Sequence, residues 1–280
     1  IRRALENIVR NYEGDKEGDD WNNFMTYTKR VWFSNGIHHH YSNLKLKPGF
    51  EQGYFVQLLN ETNTKLSEEA LAVIFNGEDN KKVSKDADVD LLLASAINFY
   101  DPDITEEEAI SFYKKMIVPN DPTPISYGLN SKLVRNDDGS ISERKWTADG
   151  MYGPAIQEII KWLEKARGVA ENEQQGKAIG LLIEYYKTGD LKTWDEYNIA
   201  WVQATEGDID YINSFIEVYD DPLGYKATYE TVVEIKDFDA SQKMGVISEN
   251  IQYFEDNSPI MQEHKKPDVK GVTYKMVNVA

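Results

Sequence analysis

The sequence predicts an α+β protein in which helices pack around a small, mostly antiparallel β-sheet or barrel. Two observations carry that expectation. Apolar residues recur at helical spacing in six separate stretches, and strand-like alternation is confined to one hairpin and to the last third of the chain. No internal repeat or low-complexity segment is present, which counts against a solenoid.

The first helical stripe is Trp21, Phe24, Met25, Thr28 and Trp32, ending at Asn35-Gly36. Thr105 and Glu108 have capping-box spacing, and Ala109, Phe112, Tyr113 and Met116 continue as an apolar face. Lys132 to Val134 and Ile141 to Trp146 flank Asn136-Asp137-Asp138-Gly139, a hairpin turn in which glycine supplies the positive φ. Pro154 suits a first helical turn ahead of Ile156, Ile159, Ile160 and Leu163. Ile179, Leu182, Ile183 and Tyr186 form another helix, which stops at Gly189, a left-handed cap. Thr193 and Glu196 repeat the capping-box signature before Tyr197, Ala200 and Trp201.

Phe215 to Tyr219 then runs into Asp220-Asp221-Pro222-Leu223-Gly224, a turn because proline fixes φ and glycine frees it. On the strand that follows, Tyr229, Thr231, Val233 and Ile235 suit a packed face, and Thr228, Glu230, Val232 and Glu234 the other. Asp239 with Gln242 starts a last helix through Met244, Ile247, Ile251 and Phe254. Val269 to Ala280 alternates again and ends without a turn or polar stop.

The chain has 280 residues, 41% of them hydrophobic and 28% charged, the make-up of an ordinary globular protein. Its 48 acidic against 31 basic residues give a net charge of −17, which argues against nucleic acid as a partner because phosphate binding needs a basic footprint. Cysteine is absent, so disulfides, thiolate nucleophiles and cysteine-held metals are excluded. The longest strongly apolar run, Leu91 to Ile97, is too short to span a bilayer. The opening Ile1-Arg2-Arg3 and the unfinished final strand predict a piece of a longer protein.

Few residues carry recognisable chemistry. Of the consecutive His38, His39 and His40, only His38 and His40 share a face of an extended segment, so a metal there lacks a third ligand. No phosphate-cradling glycine loop and no Gly-x-Ser-x-Gly elbow occur. Between Thr193 and Tyr225 lie eight acids and no Lys or Arg, most of which read as a solvated face. Glu217 differs because it sits among apolar neighbours, where a solvent-facing carboxylate is not expected. Since the chain goes out, turns and returns, Glu217 and Glu230 can meet. Two carboxylates in one pocket repel unless a cation lies between them, so the pair reads as an ammonium or metal site. A carboxylate pair for glycoside hydrolysis stays open beside it, given six tryptophans.

Phe215-Ile216-Glu217-Val218-Tyr219-Asp220-Asp221-Pro222-Leu223-Gly224, followed by Tyr229-Glu230, resembles the dipeptidyl-peptidase III family of zinc metallopeptidases. The resemblance extends to Val31 through Tyr41, to Ser126-Tyr127-Gly128-Leu129-Asn130-Ser131 and to Thr188-Gly189-Asp190-Leu191-Lys192-Thr193, in the manner of bacterial members. It implies a two-lobed enzyme that removes dipeptides from the N-termini of short peptides. In such an enzyme a helical upper lobe holds zinc through His-Glu-x-x-x-His and a later Glu, and the lower lobe is built around a small β-barrel. Carried onto this chain, the resemblance makes Glu217 and Glu230 the pair that holds the substrate's free α-ammonium and Tyr219 the donor to the scissile carbonyl. An aromatic at the first subsite falls on Tyr100 or Phe99.

No zinc motif of that kind occurs in the 280 residues. The chain is therefore expected to be the lower, substrate-binding lobe over residues 1–238, a helical excursion toward the upper lobe over 239–259, and a truncated return strand over 260–280. Its expected partners are short peptides with a free N-terminus and the zinc-bearing lobe of the same chain. Zinc belongs to the whole protein and none to this piece, which alone is expected to be inactive. A cytoplasmic and a periplasmic location are both compatible with the sequence. The alternative is a non-catalytic module whose acidic groove captures cationic ligands.

Overall fold

Apolar side chains at helical spacing build four helices in the first of two units into which the chain divides: α1 (Arg2–Asn11), α2 (Asp19–Phe33), α3 (Gln52–Glu61) and α4 (Glu68–Phe75). A computed structural model describes residues 1–76, 81–269 and 277–279. The first unit takes in Ile1–Asn98 and Pro102–Glu106. The stripe read from Trp21 to Trp32 is α2, and its Phe24 and Val31 meet Leu5 and Ile8 of α1 and Phe55 and Leu58 of α3 in one core. Burying each such side chain contributes about 1.5–3 kcal/mol. Of these helices only α2 stands out in the sequence; α1, α3 and α4 are short and were not expected.

The second unit takes in Phe99–Asp101 and Glu107–Ala280 and holds Tyr100, Glu217, Tyr219 and Glu230. After α5 (Glu106–Lys114) come the hairpin strands β1 (Ser131–Arg135) and β2 (Ile141–Lys145), joined through Gly139 at φ 82°. Three helices follow, α6 (Gly153–Gly168), α7 (Glu173–Thr188) and α8 (Leu191–Gln203). Pro154 stands in the first turn of α6, and Gly189 caps α7 in the left-handed region at φ 66°. The start of α8 departs from expectation. Its N-cap is Asp190, which accepts from the Lys192 N–H at 3.2 Å, and Thr193 lies inside the first turn donating to Asp190.

The second sheet has the order β3-β4-β5, with β3 (Ile209–Glu217), β4 (Thr228–Lys236) and β5 (Val277–Val279) all antiparallel. Among the described residues the β-structure is two small open sheets, not a closed barrel. Of the expected final strand, 277–279 form β5, and 270–276 and 280 lie outside the described residues. Phe215 of β3, Trp146, Tyr186, Leu182 and Ile156 share the core of this unit.

The expected packed face of β4 is the open one. Tyr229, Val233 and Ile235 are 38, 45 and 47% exposed, whereas Thr228, Glu230, Val232 and Glu234 are half-buried. Helices α6 and α7 cover β3 around Phe215 but leave a groove along β4, lined in part by Leu163, Ile179, Tyr211 and Val233. The last expected helix is two: α9 (Phe238–Glu249), capped by Asp237 in place of Asp239, and α10 (Ile251–Asp256), separated at Asn250. Neither buries a side chain, so the Met244–Phe254 stripe is not core in this chain.

Candidate functional site

The site is made where β3 leaves the sheet and β4 returns to it. Phe215 pairs with Tyr229 but Glu217 pairs with Thr228, so Ile216 is an extra residue that has no partner across the ladder. The consequence is one of parity. Residues directly opposite share a face, and Thr228 and Glu230 are two apart on β4, so Glu217 stands on the same face as Glu230. In a regular ladder it would share the face of Phe215 and Tyr229.

The ionisation of Glu230 reflects its surroundings. Burial and then the Glu217 carboxylate raise Glu230 above the ordinary glutamate range. Burial, Asp220, Glu230 and Glu217, in that order, raise Tyr219, whose side chain is 62% exposed. The exposed Glu217 and Tyr219 and the half-buried Glu230 thus form one acidic group. Glu217 is exposed, contrary to the expectation drawn from its apolar neighbours. Ile216 and Val218 turn instead toward a cavity of about 520 Å³ that Trp194, Tyr225 and Tyr113 also line, and Glu217 and Tyr219 alternate outward.

Tyr100 meets the turn that follows Tyr219, at Asp221. It is buried, and its hydroxyl donates to Asp221 Oδ2 at 2.7 Å. Asp221, also buried, accepts from the N–H groups of Leu223 (3.1 Å), Tyr225 (2.9 Å) and Lys226 (2.8 Å), which closes the turn on its inner side. Gly224 completes the turn at φ 73°, a conformation that glycine adopts freely. Sequence reasoning missed Lys226, which is fully buried under the same turn. The available signal was its position as the first basic residue after the acidic run.

The histidines form no ligand set. In the first unit the His39 and His40 rings stack at 4.8 Å, His40 meets Tyr41 at 4.2 Å and Phe33 at 4.9 Å, and His38 makes a strand-like bridge to Lys45. Among the described residues, no three His, Asp or Glu side chains converge to hold a metal ion. Chemically, the site in the second unit can attract a cation between two carboxylates and present a phenol donor next to it.

A sequence model of Peptidase family M49 matches residues 46–279. The chain is 26% identical over 174 residues to Dipeptidyl peptidase 3 of Mus musculus, an alignment covering 60% of this chain and 23% of that protein. It is 25% identical over 130 residues to Nudix hydrolase 3 of Arabidopsis thaliana, covering 46% of this chain and 16% of that protein. In fold it is similar to the dipeptidyl-peptidase III structure from Corallococcus sp. strain EGB, with a TM-score of 0.55 and 15% identity over 99% of this chain. The chain spans 47% of that structure, about half its length.

Proposed function

Since the chain belongs to peptidase family M49, we propose that it is the peptide-docking lobe of a dipeptidyl peptidase, in which Glu217 and Glu230 grip the free α-ammonium of a short peptide. The observation that carries this reading is the bulge at Ile216, which sets two carboxylates on one face where they repel, together with the raised Glu230. A cation between them removes the repulsion, and a peptide N-terminus is such a cation near neutral pH. Tyr219 keeps its proton more firmly than an ordinary tyrosine. Its hydroxyl is therefore a hydrogen-bond donor, suited to a peptide carbonyl on which negative charge develops. Tyr100 supports the first subsite from behind, through Asp221.

Cleavage belongs to the whole protein. Zinc, which the family resemblance places on a motif absent from these 280 residues, would supply an activated water there. Among the described residues no three His, Asp or Glu side chains converge on a zinc site. The chain alone binds peptides without cutting them.

Calorimetry of the chain with a short peptide and with its N-acetylated form tests this directly. Binding of the free peptide and loss of binding on acetylation support the reading. Equal binding of the two defeats it, and favours an acidic groove that takes cationic side chains irrespective of the terminus.

A further inference from the structure

Lys226 is a fully buried cation two residues before β4 begins. Its Nζ donates to Ser131 Oγ on β1 at 2.9 Å and to the hydroxyl of Tyr113 on α5. Glu143 Oε1 on β2 lies 3.9 Å away, and the rings of Tyr113 and Tyr100 face the ammonium at 4.7 and 5.6 Å. Its backbone N–H is one of the donors to Asp221, the carboxylate that also holds Tyr100 and closes the turn. The buried cluster thus ties the turn between β3 and β4 to a helix and to both strands of the hairpin.

Stability alone is a poor reason for such a residue. Burying an ammonium costs several kcal/mol before any partner offsets it, and a well-packed apolar side chain is commonly no worse. Burial holds Lys226 down at about 8 although Glu143 and Asp221 pull it upward. What the charge and its donors add is direction, because apolar packing leaves a turn free to slide, whereas hydrogen bonds to α5 and β1 with the Glu143 charge on β2 do not.

We propose that Lys226 and Asp221, braced by Tyr100, are positioning residues that hold Glu217 and Glu230 side by side before any ligand arrives. Their purpose rests on the reading of that pair as the grip on a peptide α-ammonium. Without a cation the two carboxylates push apart, and the segment from Val218 to Ala227 that joins their strands is free to yield unless it is fixed. Asp221 fixes it from within and Lys226 from below. The ordering cost is then met on folding and not on binding, so the empty site is already shaped for its ligand.

The test is the titration of Glu230, followed by carboxyl-carbon NMR of the glutamate-labelled 280-residue chain, with Glu230→Gln assigning the signal. In the wild type Glu230 titrates above the ordinary glutamate range. In Lys226→Met the elevation shrinks because the carboxylates part. Burial is the larger cause of the elevation, so the fall reports separation where it is absent from the Glu217→Gln background, and an equal fall in that background, which reports lost burial, overturns the proposal. Tyr100→Phe, which deletes one neutral donor to Asp221, gives a smaller fall and decides the matter if Lys226→Met does not fold. An unchanged or increased elevation in folded variants overturns the proposal.

Affinity for a free-amine tripeptide falls about tenfold in Lys226→Met, equivalent to about 1.4 kcal/mol, and falls no further when Glu217→Gln is already present. Equal losses in both backgrounds indicate a general structural defect and overturn the positioning role. A wild-type chain that shows the Glu230 elevation but ignores the tripeptide defeats the peptide reading and leaves the positioning role standing.

Discussion

Glu217 and Glu230 share a face of the β3–β4 pair because Ile216 is an extra residue in β3. A bulge is a local fault in the ladder, and here it re-aims one carboxylate by a full alternation. The charges that result repel, which is a cost in the empty chain. That cost becomes affinity when a cation arrives, so the same feature is unfavourable for folding and favourable for binding.

Restoring the ladder should undo the pair. One threonine inserted between Thr228 and Tyr229 gives Ile216 a partner and turns Glu217 to the side of Phe215 and Tyr229. Glu230 then loses the part of its elevation that comes from Glu217. Deleting Ile216 also removes the bulge, yet it leaves Glu217 opposite Thr228, and the elevation is expected to persist. NMR titration of both variants checks this; the same Glu230 behaviour in the two contradicts it.

Peptide binding should fail in acid sooner than an ordinary glutamate allows. Glu230 is raised in the folded chain, so it takes up a proton at a higher pH and stops attracting an ammonium there. Glu217→Gln removes the neighbour that raises it, and the acidic limb of the binding curve moves to lower pH. The same variant weakens binding at neutral pH by about 1.5–2 kcal/mol, the lower part of the range for charge-assisted hydrogen bonds, because Glu217 is open to water. Calorimetry across the acidic range reads both effects.

Tyr219→Phe separates binding from catalysis. The exposed hydroxyl is offered to charge that develops during reaction, so the affinity of the chain for a ground-state peptide should change little. In a full-length peptidase carrying the same change, kcat falls about 10²–10³-fold with KM nearly unaltered. A variant whose sole defect is a raised KM assigns Tyr219 to binding.

Lys226 makes stability depend on alkaline pH. Burial lowers it from 10.5 to about 8, so between those values the unfolded chain holds a proton that the folded chain has lost. Its contribution is full above about pH 10.5 and is lost as the pH falls through about 8. Relative to Lys226→Met, the unfolding free energy of the wild type should rise across this window by at most about 3 kcal/mol. Urea unfolding of both proteins on either side of the window checks it, and parallel curves contradict it.

Much of this was legible in the sequence where chemistry is local. Gly189 ended its helix as a left-handed cap must, and the Asn136–Gly139 turn joined its strands. The proline–glycine turn after Tyr219 returns the chain so that Glu217 and Glu230 can meet, which the residues themselves imply. What could not be read is what register and burial decide. An alternation pattern counts residues along one strand and does not show that Ile216 lacks a partner on the next. Lys226 looks like any surface lysine until Tyr113, Ser131 and Glu143 close over it from distant parts of the chain. The start of α8 was misplaced because two residues compete for it, and the carboxylate of Asp190 reaches the free N–H first. The helices α1 and α3 escaped notice because Ala4, Leu5 and Ile8, or Phe55, Leu58 and Leu59, make a stripe too short to identify without the neighbours that bury it.

The most direct measurement follows the two carboxylates themselves while a free-amine peptide is added to the labelled chain. If they grip the α-ammonium, the Glu217 and Glu230 signals both move, and Glu230 at saturation titrates within or below the ordinary glutamate range because the cation has replaced repulsion with attraction. A peptide that binds while both signals and the Glu230 titration stay where they were contradicts the assignment.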